Sequence, residues 1–146
     1  MADASAEKAI RDKVTAWART VERKDAKAAG SFFDDDVVTF DLAPPLQHNG
    51  FDRAALEAWF KTWKGPIGYE PTEVSVAVDG DLAVARSLDH MTGEKTDGEK
   101  VDLWTRSTVC FRKSGSDWKV FHVHSSVPFY MDGSFRAAVD LKPGRS

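Results

Sequence analysis

Apolar residues recur at helical spacing at the start of the chain and alternate with polar residues further along. The first stripe consists of Ile10, Val14, Trp17, Ala18 and Val21. Its 3.6-residue period predicts an amphipathic helix over about residues 5–23. A second, shorter helix is predicted after Asp25, whose side chain suits an N-cap, and the acidic run Asp34–Asp36 is predicted to be the turn that follows it.

A strand and a third helix are predicted next. The β-branched and aromatic run Val37–Phe40 is typical of a strand, and the loop after it contains Pro44 and Pro45, which cannot continue regular pairing. Asp41 lies where this strand ends. Asp52 has the position of an N-cap for a helix that we expect to extend to Trp63, before Gly65 and Pro66.

The rest of the chain has the pattern of a β-sheet. Four strands are predicted over about Tyr69–Val78, Leu82–Thr92, Val101–Lys113 and Trp118–Phe129, followed by a weak helical fragment over about Phe135–Leu141. The short connections between the strands predict hairpins. We therefore expect a conical α+β fold, in which N-terminal helices pack on one strongly curved, mostly antiparallel sheet, with a pocket at its open end.

Composition limits the size and the partners of this fold. The 146 residues are 42% hydrophobic, which fits one domain over 1–146, with a core over about 5–130 and a C-terminal extension over 131–146. The net charge of -3 gives no reason to expect a nucleic-acid partner. No apolar run approaches the ~20 residues of a membrane span, so we expect no membrane association and a cytoplasmic location.

The strand around Trp118–Val127 contains the most informative polar side chains. Strict alternation would place His122, His124 and Ser126 on one face, and would place Trp104 and Arg106 together on a face of the neighbouring strand. These histidines face either solvent or a cavity. Because each face mixes large apolar and polar groups, we favour a sheet with one face on a cavity and the other on a partner subunit.

Asp41 has two interpretations. An Asp at this place can simply satisfy backbone donors in the proline-containing loop. Its apolar neighbours Phe40 and Leu42 instead disfavour a charged carboxylate, which suits a general base, whereas Arg106 could pair with it and stabilise the charge.

Other chemistry has weaker support in the sequence. His122, His124, His90 and Asp41 are residue types that bind divalent metals, but two-residue histidine spacing on strands also arises by chance, and we predict no metal. Cys110 is the only cysteine, and we interpret it as structural. The phosphate-binding and nucleophile motifs are absent, and we predict no cofactor.

The chain resembles the SnoaL-like group of the nuclear transport factor 2-like superfamily. The resemblance covers nearly the whole chain and is most specific in Trp118–Pro128 and Trp104–Thr108. It implies a conical fold with a deep pocket and a homodimer formed through the outer sheet face. The group includes ketosteroid isomerases, polyketide cyclases, dehydratases and proteins of unknown reaction, so the fold alone does not define a function.

One part of the resemblance concerns single residues. The segment Val38–Asp41 is similar to the segment of ketosteroid isomerases that carries the catalytic Asp, which implies that Asp41 faces the pocket. The chain departs from that enzyme in two ways. Trp17 occupies the place of the donor Tyr, and no second Asp is evident at a matching site in the later strands.

We therefore predict a small, cofactor-independent enzyme of isomerase, cyclase or dehydratase type that transfers a proton on an apolar, carbonyl-bearing small molecule. Asp41 would be the base, His124 the acid or oxyanion donor, and Arg106 the orienting cation. The predicted wall residues are Trp17, Trp59, His90, His122, Ser126 and Tyr130. The alternative is a noncatalytic small-molecule-binding or oligomerisation domain, in which the same polar groups would satisfy one another.

Overall fold

The computed structural model describes residues 4–144, in which three helices accompany one six-stranded sheet. The helices are α1 (Ala4–Glu22), α2 (Ala26–Gly30) and α3 (Arg53–Phe60). The strands are β1 (Phe33–Phe40), β2 (His48–Asn49), β3 (Trp63–Asp79), β4 (Leu82–Lys95), β5 (Lys100–Ser114) and β6 (Asp117–Ser126). No helix among these residues is both long enough and apolar enough to cross a membrane.

The sheet has the order β2-β1-β6-β5-β4-β3 and is not closed into a barrel. Strands β3 to β6 pair as successive antiparallel hairpins, and β1 joins the edge of β6 in parallel, with Phe40 opposite His124. Helix α1 packs along β3. The expected α+β architecture, with helices packed on one mostly antiparallel sheet, is confirmed.

Two predicted helix starts are correct because aspartate side chains satisfy free backbone donors there. Asp25 accepts a hydrogen bond from the Ala28 N–H at 3.0 Å, and Asp52 accepts one from the Ala55 N–H at 3.0 Å. Each carboxylate also lies at the positive end of the helix that it caps.

The predicted end of the third helix is wrong. Helix α3 ends at Phe60, and Trp63 already belongs to β3, where only 4% of its surface is exposed. A hydrogen bond of 2.7 Å from Lys24 Nζ to the Trp63 carbonyl oxygen fixes this start. Pro66 is tolerated in the strand because the pairing with β4 shifts register between Lys64 and Gly68.

Two other local predictions are also wrong. The acidic run Asp34–Asp36 is part of β1, where a register shift between Phe33 and Val38 accommodates it beside β6. No helix forms over Phe135–Leu141, because this segment folds back on the chain before it, with a bridge between Phe129 and Ala137.

Two clusters of buried apolar residues hold the layers together. The first joins α1 to β1, β4, β5 and β6, and consists of Ile10, Val37, Ala83, Ala85, Phe111, Trp118 and Val120. The second joins the helices to the start of β3 and to β4, and consists of Val21, Ala26, Phe60, Trp63, Ile67 and Met91. A cavity lies between helix α1 and the inner face of the sheet.

Candidate functional site

The cavity has a volume of about 140 Å³ and a mainly apolar wall. Helix α1 and the strands supply the apolar part, which includes Trp17, Phe33, Val109, Phe111, Val120 and Val123. The polar part includes Asp41, Tyr69, Ser87, Asp89, Ser107 and Ser125. A concave, apolar site with a few convergent polar groups is typical of small-molecule binding.

Strand β4 presents small side chains toward the inner face of the sheet, and two of its inward residues, Ser87 and Asp89, line the cavity. The inward positions of the strand are Ala83, Ala85, Ser87 and Asp89, whereas its larger residues Leu82 and Val84 point outward and are 49% and 41% exposed. Since neighbouring positions of a strand face opposite sides, the small residues all lie beneath α1.

Asp89 is the most deeply buried charged group of the cavity, with 2% of its surface exposed. Its Oδ2 accepts hydrogen bonds from Tyr69 Oη at 2.8 Å and Ser107 Oγ at 2.7 Å, and its Oδ1 accepts one from Ser87 Oγ at 2.7 Å. Ser125 Oγ lies 3.2 Å from Ser107 Oγ. We call these five residues the Asp89 cluster.

Three hydroxyl hydrogens of the Asp89 cluster are donated to the carboxylate, and the fourth is donated to Ser107. A hydroxyl carries a single hydrogen, so Ser107, which donates to Asp89, must accept from Ser125. Burial, and next the negative charge of Asp89, hold the pKa of the Tyr69 phenol well above its usual range. Tyr69 therefore remains a donor to Asp89 at neutral pH.

Asp41 lies at the junction of the cavity and a second, open depression beside the proline-containing loop. Its Oδ2 accepts a hydrogen bond from Thr39 Oγ1 at 3.3 Å and lies 3.5 Å from His48 Nε2. The side chain is 48% exposed, and its neighbours in the open depression, which include Phe40, Leu42 and Pro44, are mainly apolar. Asp41 lies at the cavity mouth and has no ion pair with Lys or Arg among residues 4–144.

The paired histidines of β6 lie on the outer face of the sheet, away from the cavity. A bulge in the pairing of β5 with β6 places Phe111 opposite Val120 but Cys110 opposite His122. Because of the extra residue, Val120 shares the inner face with Val123 and Ser125, whereas strict alternation would place it with His122. His122 Nδ1 donates to the Val38 carbonyl oxygen at 2.7 Å.

His124 also points outward, where the edge of its ring contacts Phe40 at 5.4 Å between centroids, and it borders the open depression together with Asp41. Arg106 and Ser126 contact each other on the same outer face, with Arg106 Nε donating to Ser126 Oγ at 3.2 Å. The structure therefore brings His124 near Asp41 but places neither His124 nor Arg106 in the cavity wall.

Three of the predicted wall residues have structural contacts elsewhere. His90 stacks on Trp104 at 4.3 Å and its Nε2 lies 2.6 Å from Asp102. Trp59 packs edge-on against Trp63 at 5.5 Å, and Tyr130 donates to Asp140 in the C-terminal segment. None of them contributes to the cavity wall.

Trp17 does line the cavity, where its ring packs edge-on against Tyr69 at 5.6 Å. Its indole Nε1 is a buried donor that has no hydrogen-bond partner among the described residues. A buried donor without a partner is unfavourable by about 1–3 kcal/mol. Of the six predicted wall residues, Trp17 is therefore the one whose ring lines the cavity.

The sequence analysis missed the Asp89 cluster. No Asp of the later strands was among the predicted site residues, yet Asp89 on β4 lines the cavity. One signal was present: Asp89 is the single charged residue in the run Ala83, Ala85, Ser87, Asp89 and Met91, which alternation places on one face. The outward run contains Leu82, Val84 and Leu88, so hydrophobicity alone would favour the opposite face as the buried one.

The histidines do not assemble into a metal centre in the part of the chain that the structure describes. Among residues 4–144, no group of three or more His, Cys, Asp or Glu side chains is close enough to hold a metal ion. The contacts of His90, His122 and His124 are instead with aromatic rings, a carboxylate and a backbone carbonyl.

Comparisons with known proteins find one matching family model and several similar structures. A family model for the SnoaL-like domain matches residues 10–130. The structure of an NTF2-like protein of unknown function from Pseudomonas putida KT2440 is similar, with a TM-score of 0.88, 32% identity, and coverage of 98% of this chain and 100% of that chain. No curated protein sequence matches significantly.

More distant structures share the fold. A candidate aromatic ring hydroxylase from Novosphingobium aromaticivorans has a TM-score of 0.73 at 22% identity, over 86% of this chain and 91% of that chain. A candidate dehydratase of the NTF2-like family from Streptomyces avermitilis has a TM-score of 0.72 at 20% identity, over 84% of this chain and 95% of that chain.

Proposed function

This chain belongs to the SnoaL-like family, and from that premise we propose that it is a small enzyme that transfers a proton on an apolar, carbonyl-bearing molecule bound in its cavity. The observation that carries the proposal is the position of Asp41, a carboxylate at the mouth of a chamber whose wall is mainly aliphatic and aromatic. Names of enzymes among the structural relatives support an enzyme-like domain but specify no reaction.

Asp41 is the proposed base. It would remove a proton from the carbon next to the carbonyl group, so that the electron pair of the broken C–H bond forms a C=C bond and the carbonyl π pair moves onto oxygen, which gives an enolate. The same carboxyl group would return the proton to a carbon of the substrate. Thr39 and His48 would position the carboxylate. No Lys or Arg among the described residues forms an ion pair with it, so the carboxylate stays available as a base.

Trp17 is the proposed donor to the enolate oxygen. Its ring lines the cavity and its buried indole N–H has no partner among the described residues, whereas His124 and Arg106 lie on the outer face. A substrate carbonyl oxygen would give this donor the partner that it lacks. The bond would strengthen as negative charge develops on the oxygen, and a preorganised donor of this kind contributes roughly 3–4 kcal/mol.

The size of the cavity favours a single ring. Its volume of about 140 Å³ is close to that of an engineered cavity, roughly 150 Å³, that holds benzene. One six-membered ring fits such a space, whereas the four fused rings of a steroid would extend beyond it. We therefore propose monocyclic ketones as the first substrates to test.

Solvent deuterium uptake into cyclohexanone and its methylated forms tests the proposal. We expect the wild type to accelerate uptake over buffer and Asp41→Asn to lower the rate at least about tenfold, since general bases contribute about 10²–10⁴-fold. Asp102→Asn is the matched control, because it removes an equivalent carboxylate from the outer face. Unchanged uptake in Asp41→Asn would remove Asp41 from this role.

A noncatalytic binding protein is the second candidate. The observation that favours it is the Asp89 cluster, in which the polar groups satisfy one another and need no reaction. This function predicts saturable binding of monocyclic compounds with no deuterium uptake above buffer in the wild type.

A further inference from the structure

We propose that the Asp89 cluster is a binding site for the ammonium group of a small cyclic amine. The inference concerns binding alone, so it goes beyond the proposed reaction and stands whether or not that reaction occurs. It depends on three properties of the cavity: the direction of its hydrogen bonds, its unneutralised charge and its aromatic wall.

The hydrogen bonds leave only acceptors free in the Asp89 cluster. The hydrogens of Tyr69, Ser87 and Ser107 are all donated to Asp89, and that of Ser125 is donated to Ser107. The oxygens of the five residues therefore have only lone pairs left for hydrogen bonds to a ligand. A bound carbonyl or carboxylate group would find no donor in this cluster. An ammonium group, in contrast, would supply three donors to these acceptors.

The charge of Asp89 also favours a cation. Asp89 forms no ion pair with a basic side chain within residues 4–144, although only 2% of its surface is exposed. Lys13 borders the same cavity, but its Nζ lies 2.7 Å from Asp117 Oδ1. Buried charges in proteins are normally paired, so a ligand cation would supply the missing partner.

The aromatic wall suits the remainder of such a ligand. Trp17, Phe33 and Tyr69 line the cavity, and faces of aromatic rings attract cations at distances within about 6 Å. The volume of about 140 Å³ accepts one six-membered ring. Cyclohexylamine has both a cationic ammonium group and a single six-membered ring, so it is the appropriate probe.

The test measures binding of cyclohexylamine, cyclohexanol and cyclohexanone to the wild type by titration calorimetry at pH 7. The three share one ring and differ in charge and donors, and the amine is protonated at this pH. We expect the amine to bind at least tenfold more tightly than the alcohol. Equal or weaker amine binding would overturn the proposal, and this comparison needs no variant to fold.

Variants then locate the site. We expect Asp89→Asn to lower amine affinity at least tenfold and Ser125→Ala, which leaves the three donors of Asp89 in place, to lower it about threefold. The control Asp102→Asn removes a carboxylate from the outer face and should change it less than twofold. Amine binding that survives Asp89→Asn in a folded protein would contradict the assignment. Deuterium uptake into cyclohexanone reports on Asp41 separately, so the two proposals fail independently.

Discussion

Tyr69 Oη donates to Asp89 Oδ2 at 2.8 Å, although the two residues are not partners in the β3–β4 ladder, where Tyr69 pairs with Met91 and Asp89 with Pro71. The bond is therefore a diagonal contact between neighbouring strands beneath α1. It gives the buried carboxylate one of its three donors and fixes the phenol in the cavity wall.

Tyr69→Phe is expected to destabilise the protein by about 1–3 kcal/mol, because it leaves a buried acceptor with one donor fewer. Urea unfolding followed by tryptophan fluorescence measures the change. Tyr130→Phe is the control: its hydroxyl donates to Asp140 in an exposed segment, so a change below about 0.5 kcal/mol is expected. Equal effects of the two substitutions would contradict the importance of the buried bond.

Alkaline pH should destabilise the native state through Tyr69. Its folded-state pKa lies above the unfolded value of 10.0, so its contribution is complete below pH 10.0 and is lost progressively as the pH rises toward the folded-state pKa. In that range the unfolded state releases a proton that the folded state keeps, and the free energy of unfolding should fall by up to about 1.4 kcal/mol per pH unit.

Urea unfolding at several pH values between 9 and 11 checks this expectation, roughly one unit on either side of the usual tyrosine pKa. Tyr69→Phe should have a shallower decline than the wild type, and the difference between the slopes isolates Tyr69 from the lysines. Parallel slopes for the two proteins would show that Tyr69 does not govern the alkaline loss.

Gly93→Ala should be more damaging than Gly80→Ala. Both glycines have a positive φ, 149° and 62°, which is strained for other residues by about 1–3 kcal/mol. A Cβ at Gly93 would also lie 2.9 Å from the Trp63 ring, whereas Gly80 has open space around it. Thermal unfolding of the two variants compares backbone strain alone, at Gly80, with backbone strain plus the overlap with Trp63, at Gly93. Equal decreases in Tm would show that Trp63 moves aside freely.

The outer sheet face is the surface through which we propose that two copies of the chain associate. It presents the partly exposed Leu82 and Val84 of β4, next to β5, which holds Trp104 and Arg106. We expect a dimer in analytical ultracentrifugation of the wild type and a larger monomer fraction in Val84→Glu, because a charge would be buried against the partner. Met131→Glu, at an 82% exposed position in the C-terminal segment, is the control. A wild type that stays monomeric at all concentrations would refute the proposal.

The architecture could be predicted from the sequence because its signals are local. Asp25 and Asp52 cap the helices that follow them. The apolar stripe of α1 contributes Ile10 to one buried cluster and Val21 to the other. Propensity and periodicity are properties of short segments, so these elements need no knowledge of their neighbours.

The cavity wall was harder to predict because it depends on register. The phase of β6 changes at the bulge beside Phe121, which turns His122 and His124 outward and Ser125 inward. The inward side chains of β4 are also small, a pattern that resembles an exposed face by composition alone, although Ser87 and Asp89 line the cavity. The resemblance to a family carries positional information that periodicity lacks: it implied that Asp41, already a candidate from its place at the end of a strand, faces the pocket, and it matched Trp17 to the donor position.

Register shifts occur in β1, in β3 and between β5 and β6. In β6 the shift lies between Val120, which belongs to the core and also borders the cavity, and Val123 and Ser125, which line the same cavity. A one-residue slip would otherwise reverse every side chain of a strand at once. The bulge therefore keeps Val120, Val123 and Ser125 on one wall of the cavity, although strict alternation would place Val120 on the face opposite the other two.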